Sequence, residues 1–230
     1  MTHSWLFTGP PGSGRSIAAK CFAAALQCHS EADLGCGVCR ACVTVMNGTH
    51  ADVRHVVPQG LSLSVADMRD VVRTASRRPA TGRWQIVVVE DADRLTEQAG
   101  NALLKAVEEP PSRTVFLLCA PSVDPEDISV TLKSRCRHVA LTIAPAAEIE
   151  RILIERDGID PANAAWAASV CGGHIGRAKR LATDPLARDQ RLAAIGLARA
   201  ATMPARAYAA AEELVRSADA AAKAISDERN

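Results

Sequence analysis

Gly9-Pro10-Pro11-Gly12-Ser13-Gly14-Arg15-Ser16 follows the apolar stretch Ser4-Trp5-Leu6-Phe7-Thr8 and precedes the helical run Ile17 to Gln27. Strand, glycine-rich turn, then helix is the context that the phosphate-loop pattern G-x4-G-[K/R]-[S/T] requires. Glycines let the backbone curl so that its N–H groups face an anion, and the helix start adds its positive end. Gly9, Gly12, Ser13, Gly14, Arg15 and Ser16 are therefore candidate nucleotide-binding residues, with Ser16 placed to ligate Mg²⁺.

The reading extends outward as strands alternating with helices. Val53 to Val57, Gln85 to Val89, Thr114 to Cys119 and His138 to Leu141 read as further strands. QIVVV and TVFLLC are continuous apolar runs, the pattern of strands covered on both faces. Helical spacing marks Ser64 to Arg77, with Ser64 as N-cap, and Thr96 to Val107, which stops before Pro110-Pro111. Alternation of this kind predicts an α/β fold, a parallel sheet flanked by helices. After Pro145 no strand signal remains. Ala147 to Asp157, Pro161 to Cys171 and Ile175 to Thr183 read as three short helices, and Leu186 to Asn230 as an Ala-rich helical segment. The expected domains are 1–143 (α/β), 144–184 (a small helical domain) and 185–230.

Composition narrows the function classes. With 48% hydrophobic but only 3% aromatic residues, a core of Ala, Val, Leu and Ile is expected. A net charge of +1 excludes a bulk polyanion binder. No apolar run approaches the roughly 20 residues that cross a bilayer, and Met1 to Thr8 lacks the pattern of a signal peptide, so no membrane association and a cytoplasmic location are expected.

Two departures mark the nucleotide site. Arg15 stands where a compact Lys charge is usual, and the exchange is not conservative. In Val87-Val88-Val89-Glu90-Asp91 the acidic pair is reversed relative to the usual Asp-Glu, so each carboxylate is one methylene from its expected length. Misplacement by about 1 Å costs on the order of 100-fold in rate. Weak ATP and Mg²⁺ binding and poor or absent hydrolysis are expected at Arg15, Glu90 and Asp91.

Four of the eight cysteines crowd together as Cys28-x7-Cys36-x2-Cys39-x2-Cys42. Four thiolates at this spacing satisfy a tetrahedral Zn²⁺ with no open position, which predicts a structural zinc module, with His29 a conceivable substitute for Cys28. Cys21, Cys119, Cys136 and Cys171 are read as small buried apolar residues.

The phosphate loop, the four-cysteine insertion, the run Asn101-Ala102-Leu103-Leu104-Lys105-Ala106-Val107-Glu108-Glu109-Pro110-Pro111 and Ser134-Arg135-Cys136 together resemble the bacterial DNA polymerase III clamp loader subunits. The resemblance covers roughly residues 4–183. It implies a P-loop AAA+ fold with a helical lid, in a five-subunit ring that sets the sliding clamp on primed DNA during replication. The motor type (gamma/tau) keeps the phosphate-loop Lys and the Asp-Glu pair. The delta-prime type has a degraded nucleotide site but keeps Ser-Arg-Cys. Arg15, Glu90 and Asp91 make this chain similar to delta-prime, with little or no ATPase of its own, in a DNA-directed DNA polymerase (nucleotidyltransferase) holoenzyme. Arg135 would then reach into a neighbouring subunit's site as an arginine finger, worth about 10³–10⁵ in rate.

The implied partners are gamma/tau, delta, the sliding clamp and primed DNA. The resemblance also implies an N-terminal segment lining the adenine pocket, a lid Arg that Gly176-Arg177 places one step off, and a collar domain of which 185–230 holds at most the beginning. Arg69, Arg73, Arg77 and Arg78 are read as a solvated helix face rather than a DNA contact. Two other readings stand beside this one: an active gamma/tau-like motor, separable by ATP turnover of the isolated chain, and a P-loop nucleotide kinase, which leaves Ser-Arg-Cys unexplained.

Overall fold

The computed structural model describes residues 3–200 and 204–227. Residues 1–2 of the N-terminal stretch, and 201–203 and 228–230 of the C-terminal helical segment, lie outside the described residues. The chain divides into two compact units, Met1–Ile143 and Ala144–Asn230.

Five parallel strands build the first unit: β1 (Ser4–Thr8), β2 (Val53–Val56), β3 (Gln85–Val89), β4 (Thr114–Ala120) and β5 (Arg137–Ala140), in the order β2-β3-β4-β1-β5. Every residue of β3 and β4 is buried, as their unbroken apolar runs require of strands covered on both faces. Leu6, Val87, Val89, Phe116 and Leu118 pack on one side against α3 (Val65–Ala75), α4 (Glu97–Glu108) and α5 (Val130–Lys133). Phe7, Ile86, Val88, Val115 and Leu117 pack on the other against α1 (Arg15–Gln27) and α2 (Arg40–Met46). Each fully buried Val or Leu contributes about 1.5–3 kcal/mol, so these two layers dominate the stability of the unit.

The order of strands sets the site. From β1 the chain crosses to the far edge at β2, returns through β3 to β4, and then passes over β1 to β5. Loops leaving β1 and β3 therefore meet at the carboxyl ends of the strands around β1, the switch point where parallel sheets place ligands.

Local chemistry fixes the helix starts. Ser64 and Asp67 form a reciprocal capping box on α3, and the Thr96 hydroxyl accepts from the Ala99 N–H at 3.2 Å to open α4. Asp52, at the foot of β2, is 2% exposed yet charged. It accepts from the backbone N–H groups of Ala80 (2.6 Å), Thr81 (2.8 Å) and Gly82 (2.6 Å) and from the Thr81 hydroxyl (2.9 Å). That carboxylate pins the connection between α3 and β3. Burial raises its pKa, but the three N–H bonds and the hydroxyl outweigh that, and the net shift is downward.

The second unit is entirely helical among the described residues: α6 (Ala146–Glu155), α7 (Pro161–Val170), α8 (Ile175–Thr183), α9 (Pro185–Ala200) and α10 (Pro204–Asp227). Its core gathers Ile149, Leu153, Ala164, Ala167, Cys171, Ala178 and Leu181. No helix among the described residues is long and apolar enough to cross a membrane.

One expectation is corrected. Cys21 is exposed rather than buried, because α1 turns it away from the sheet while Ala19, Ala23 and Ala24 face it. Cys119 and Cys171 are buried, and Cys136 is half-buried.

Candidate functional site

The loop between β1 and α1 is held at both ends of its first residue. Gly9 N–H donates to Pro121 O at 3.1 Å, and the end of the preceding strand β1 is fixed by Leu141 N–H donating to Thr8 O at 2.7 Å. A Cβ at Gly9 would lie 2.4 Å from Ser13 Oγ and 2.6 Å from Leu141 O, so only glycine fits. Gly14 takes φ +82° as the N-cap of α1, a conformation that glycine adopts without strain. Ser13 Oγ is buried with no hydrogen-bond partner among the described residues, and Ser16 lies half-buried in the first turn of α1.

Arg15 folds back over its own loop. Its Nη1 donates to Gly9 O at 2.7 Å, and its Nη2 donates to Asp91 Oδ1 at 3.1 Å. Asp91 stands just past β3 with φ +49°, a left-handed conformation uncommon outside glycine. Glu90 pairs with Lys20 of α1, Nζ to Oε1 at 3.3 Å, and lies 4.0 Å from His55 Nδ1. Burial, then the Lys20 charge, lowers the His55 pKa, so the imidazole is held neutral between them. Burial pushes the nearby Cys119 thiol up to about 12, and it stays a protonated packing group.

The structure thus brings Gly9, Gly12, Ser13, Gly14, Arg15, Ser16, Glu90 and Asp91 to one place. Both carboxylates offered to Mg²⁺ are engaged by cations of the chain itself, and a divalent ion would have to displace Lys20, Arg15 or both. The donor set as it stands does not fit a Mg²⁺ shell.

The cysteine cluster does fit a metal. The Sγ atoms of Cys28, Cys36, Cys39 and Cys42 all lie within 4.8 Å of one another, with Cys28 3.7 Å from Cys36 and 3.9 Å from Cys39. Four sulfurs at about 2.3 Å from a tetrahedral Zn²⁺ stand about 3.8 Å apart. Backbone N–H groups of Ser30 (3.4 Å), Cys39 (3.4 Å) and Cys42 (3.5 Å) point at Cys28, Cys36 and Cys39 sulfur. Such donors stabilise thiolates. N–H bonds from Cys36 and Ser30 lower the Cys28 pKa to about 6, and those from Cys42 and His29 lower that of Cys39. Burial instead raises Cys42 to about 12. Cys28 and Cys42 are fully buried against Ala19, Ala23 and Ala24, which seats the module on α1. The cluster could hold a metal ion such as zinc, with a structural role and no position left for a reacting ligand.

Arg135 lies on a separate face. Ser129 caps the short α5, accepting from Leu132 N–H at 3.3 Å, and buried Leu132 joins the core formed by Leu103, Ala106 and Val107 of α4. Cys136 packs against the same core, and its thiol is pushed up to about 12 by burial. These anchors on either side turn Arg135 outward, with 32% of its side chain exposed. Its Nη1 donates to Thr131 O (3.0 Å) and Ser134 Oγ (3.3 Å), and its Nη2 pairs with Glu108 Oε1. In the helical unit, Arg177 donates to Cys171 O at 3.3 Å within that unit.

Residues 1–144 match the family described as "DNA polymerase III, delta subunit". Relatives include the DNA polymerase III subunit tau of Bacillus subtilis, 34% identical over 139 residues (60% of this chain and 24% of the relative). The DNA polymerase III subunit delta' of Pseudomonas aeruginosa is 36% identical over 148 residues (63% of this chain and 44% of the relative). The chain thus spans less than half the length of these curated relatives. Among solved structures, a DNA polymerase III gamma subunit-related protein from Thermotoga maritima superposes with a TM-score of 0.51 at 19% identity, over 93% of this chain and 67% of the other. The RuvB Holliday junction branch migration motor of the same organism gives a TM-score of 0.52 at 19% identity, over 83% of this chain and 54% of the other. Sheet order, phosphate loop and these likenesses define a P-loop AAA+ fold. Within it, the chain belongs to the DNA polymerase III delta subunit family.

Of the residues that matter here, Lys20, His55 and Glu108 carry no role in the sequence reading. Glu108 was visible in the Glu-Glu-Pro-Pro run, but its partner lies 27 positions away and only folding joins them.

Proposed function

We propose that the chain is a delta-prime-like subunit of the DNA polymerase III clamp loader, a ring member that binds ATP weakly and lends Arg135 to the nucleotide of a neighbouring subunit. Its partners would be gamma/tau, delta, the sliding clamp and primed DNA, and its place the cytoplasm. The observation that carries this reading is the pairing of Arg15 with Asp91, which occupies a phosphate-loop cation and an acidic side chain of the nucleotide site at once. A cradle closed in this way is poorly suited to turning over its own ATP. Arg135, in contrast, is partly exposed on a short anchored turn, as a residue that serves a neighbour must be. In this reading α6–α8 act as the lid (144–184), and α9–α10 begin a collar (185–230). The cysteine module stiffens the surface around α2 through a bound Zn²⁺.

Similarity to tau and gamma/tau relatives favours one second reading, an active motor subunit. ATP turnover of the purified chain separates the two: the delta-prime reading expects almost none, and brisk turnover supports the motor.

A further inference from the structure

We infer that Glu108 is a positioning residue for Arg135, fixing the guanidinium for its action on a neighbouring subunit's nucleotide; the inference rests on the finger role proposed above. Glu108 ends α4, and Glu109 caps it just before Pro110-Pro111. Two carboxylates at a helix C-terminus oppose the helix dipole, so neither is there to stabilise α4. Glu108 has instead a specific partner, Nη2 of Arg135.

The rest of the geometry makes the contact more than a stray surface pair. α4 and α5 are locked together through Leu132 in the core, and Gly100 lies beneath it, where an added Cβ would meet Leu132 Cδ1 at 3.8 Å. The distance from Glu108 to the Ser134-Arg135-Cys136 turn is therefore set by buried packing rather than by two loose side chains. Thr131 O and Ser134 Oγ take both N–H groups of Nη1, and Glu108 takes one of Nη2. Arg carries five N–H donors. One Nη2 N–H is left uncommitted among the described residues, whereas the Nε N–H is buried without a partner. A long Arg side chain has many rotamers to lose when it is ordered. Holding it in place before an anion arrives lowers the entropic cost of engaging that anion in the transition state. A carboxylate does this better than a neutral amide, because charge-assisted hydrogen bonds are the stronger kind.

The test uses the full chain reconstituted with its companion subunits, clamp and primed DNA, and reads kcat and KM for ATP. Glu108→Gln is expected to lower kcat about tenfold with KM unchanged, and Glu108→Asp, one methylene too short to reach the guanidinium, to lower it as well. Arg135→Ala combined with Glu108→Gln is expected to match Arg135→Ala alone, since the carboxylate acts only through the guanidinium. Thermal melting of each isolated variant confirms folding. A Glu108→Gln kcat at or above the original level, or a loss that adds to that of Arg135→Ala, overturns the inference. If Arg135→Ala itself leaves kcat unchanged, the finger role falls and this inference falls with it. A low rate for Arg135→Ala with a full rate for Glu108→Gln removes only the latter.

Discussion

Arg15 and Asp91, 76 residues apart in sequence, meet at 3.1 Å beside the glycine-rich loop after β1, and the same guanidinium donates to Gly9 O. The loop is thereby closed by its own cation. Asp91→Asn should free that guanidinium. Nucleotide affinity of the isolated chain, measured by titration calorimetry, is expected to rise about tenfold, or about 1.4 kcal/mol. An unchanged affinity would show that the ion pair does not hold the site shut.

Gly9 has a steric task apart from any ligand. A methyl group there would fall 2.4 Å from Ser13 Oγ and 2.6 Å from Leu141 O. Gly9→Ala is expected to destabilise the chain by about 1–3 kcal/mol in urea unfolding without nucleotide, the usual cost of overpacking. Gly14→Ala, whose Cβ would meet nothing within 4 Å, bears only the strain of its positive φ.

The zinc assignment predicts one bound Zn²⁺ per chain by elemental analysis. Cys39→Ser should abolish it and lower the melting temperature by about 5–10 °C, given about 2–4 °C per kcal/mol for a domain of 150–250 residues. Cys42, raised to about 12 by burial, must surrender its proton to the metal, so zinc binding should release protons and weaken as pH falls. A metal-free preparation that melts at the same temperature contradicts the assignment.

Asp52 offers a pH signature. Its folded pKa lies below the ordinary 3.8 because backbone N–H groups of Ala80, Thr81 and Gly82 and the Thr81 hydroxyl outweigh its burial. A carboxyl depressed in this way contributes stability above its unfolded pKa and loses it as pH falls through the lower folded value. Asp52→Asn should cost about 2–4 kcal/mol at pH 7, since it removes a charged acceptor from several buried donors. In urea unfolding the gap to the original chain should narrow below about pH 4. A gap independent of pH would mean that the carboxyl has the same pKa in the folded and unfolded chain.

The parts of this structure that sequence made legible are those with local causes. QIVVV and TVFLLC announce buried strands, Ser64 announces its helix, and the four cysteines announce their own convergence because spacing alone brings the sulfurs together. α2 and α5 escaped because they are short and lack an apolar period, and α2 starts from Cys39, whose sulfur accepts the Cys42 N–H in place of a usual capping oxygen. Cys21 departs from the expected burial because residue type sets burial only on average, whereas the rotation of α1 decides it here. Arg15, Glu90 and Asp91 were legible as unusual residues. What holds them was not, because the partners come from α1, β2 and β3 and only the sheet order brings those together.

In the role proposed above, Arg135 serves the nucleotide of a neighbouring subunit. Arg135→Ala should leave the melting temperature of the isolated chain within a few degrees of the original. In the reconstituted clamp loader, with clamp and primed DNA, it should cut ATP turnover by a factor on the order of 10³. Turnover that persists at its original rate in that assembly would contradict the claim.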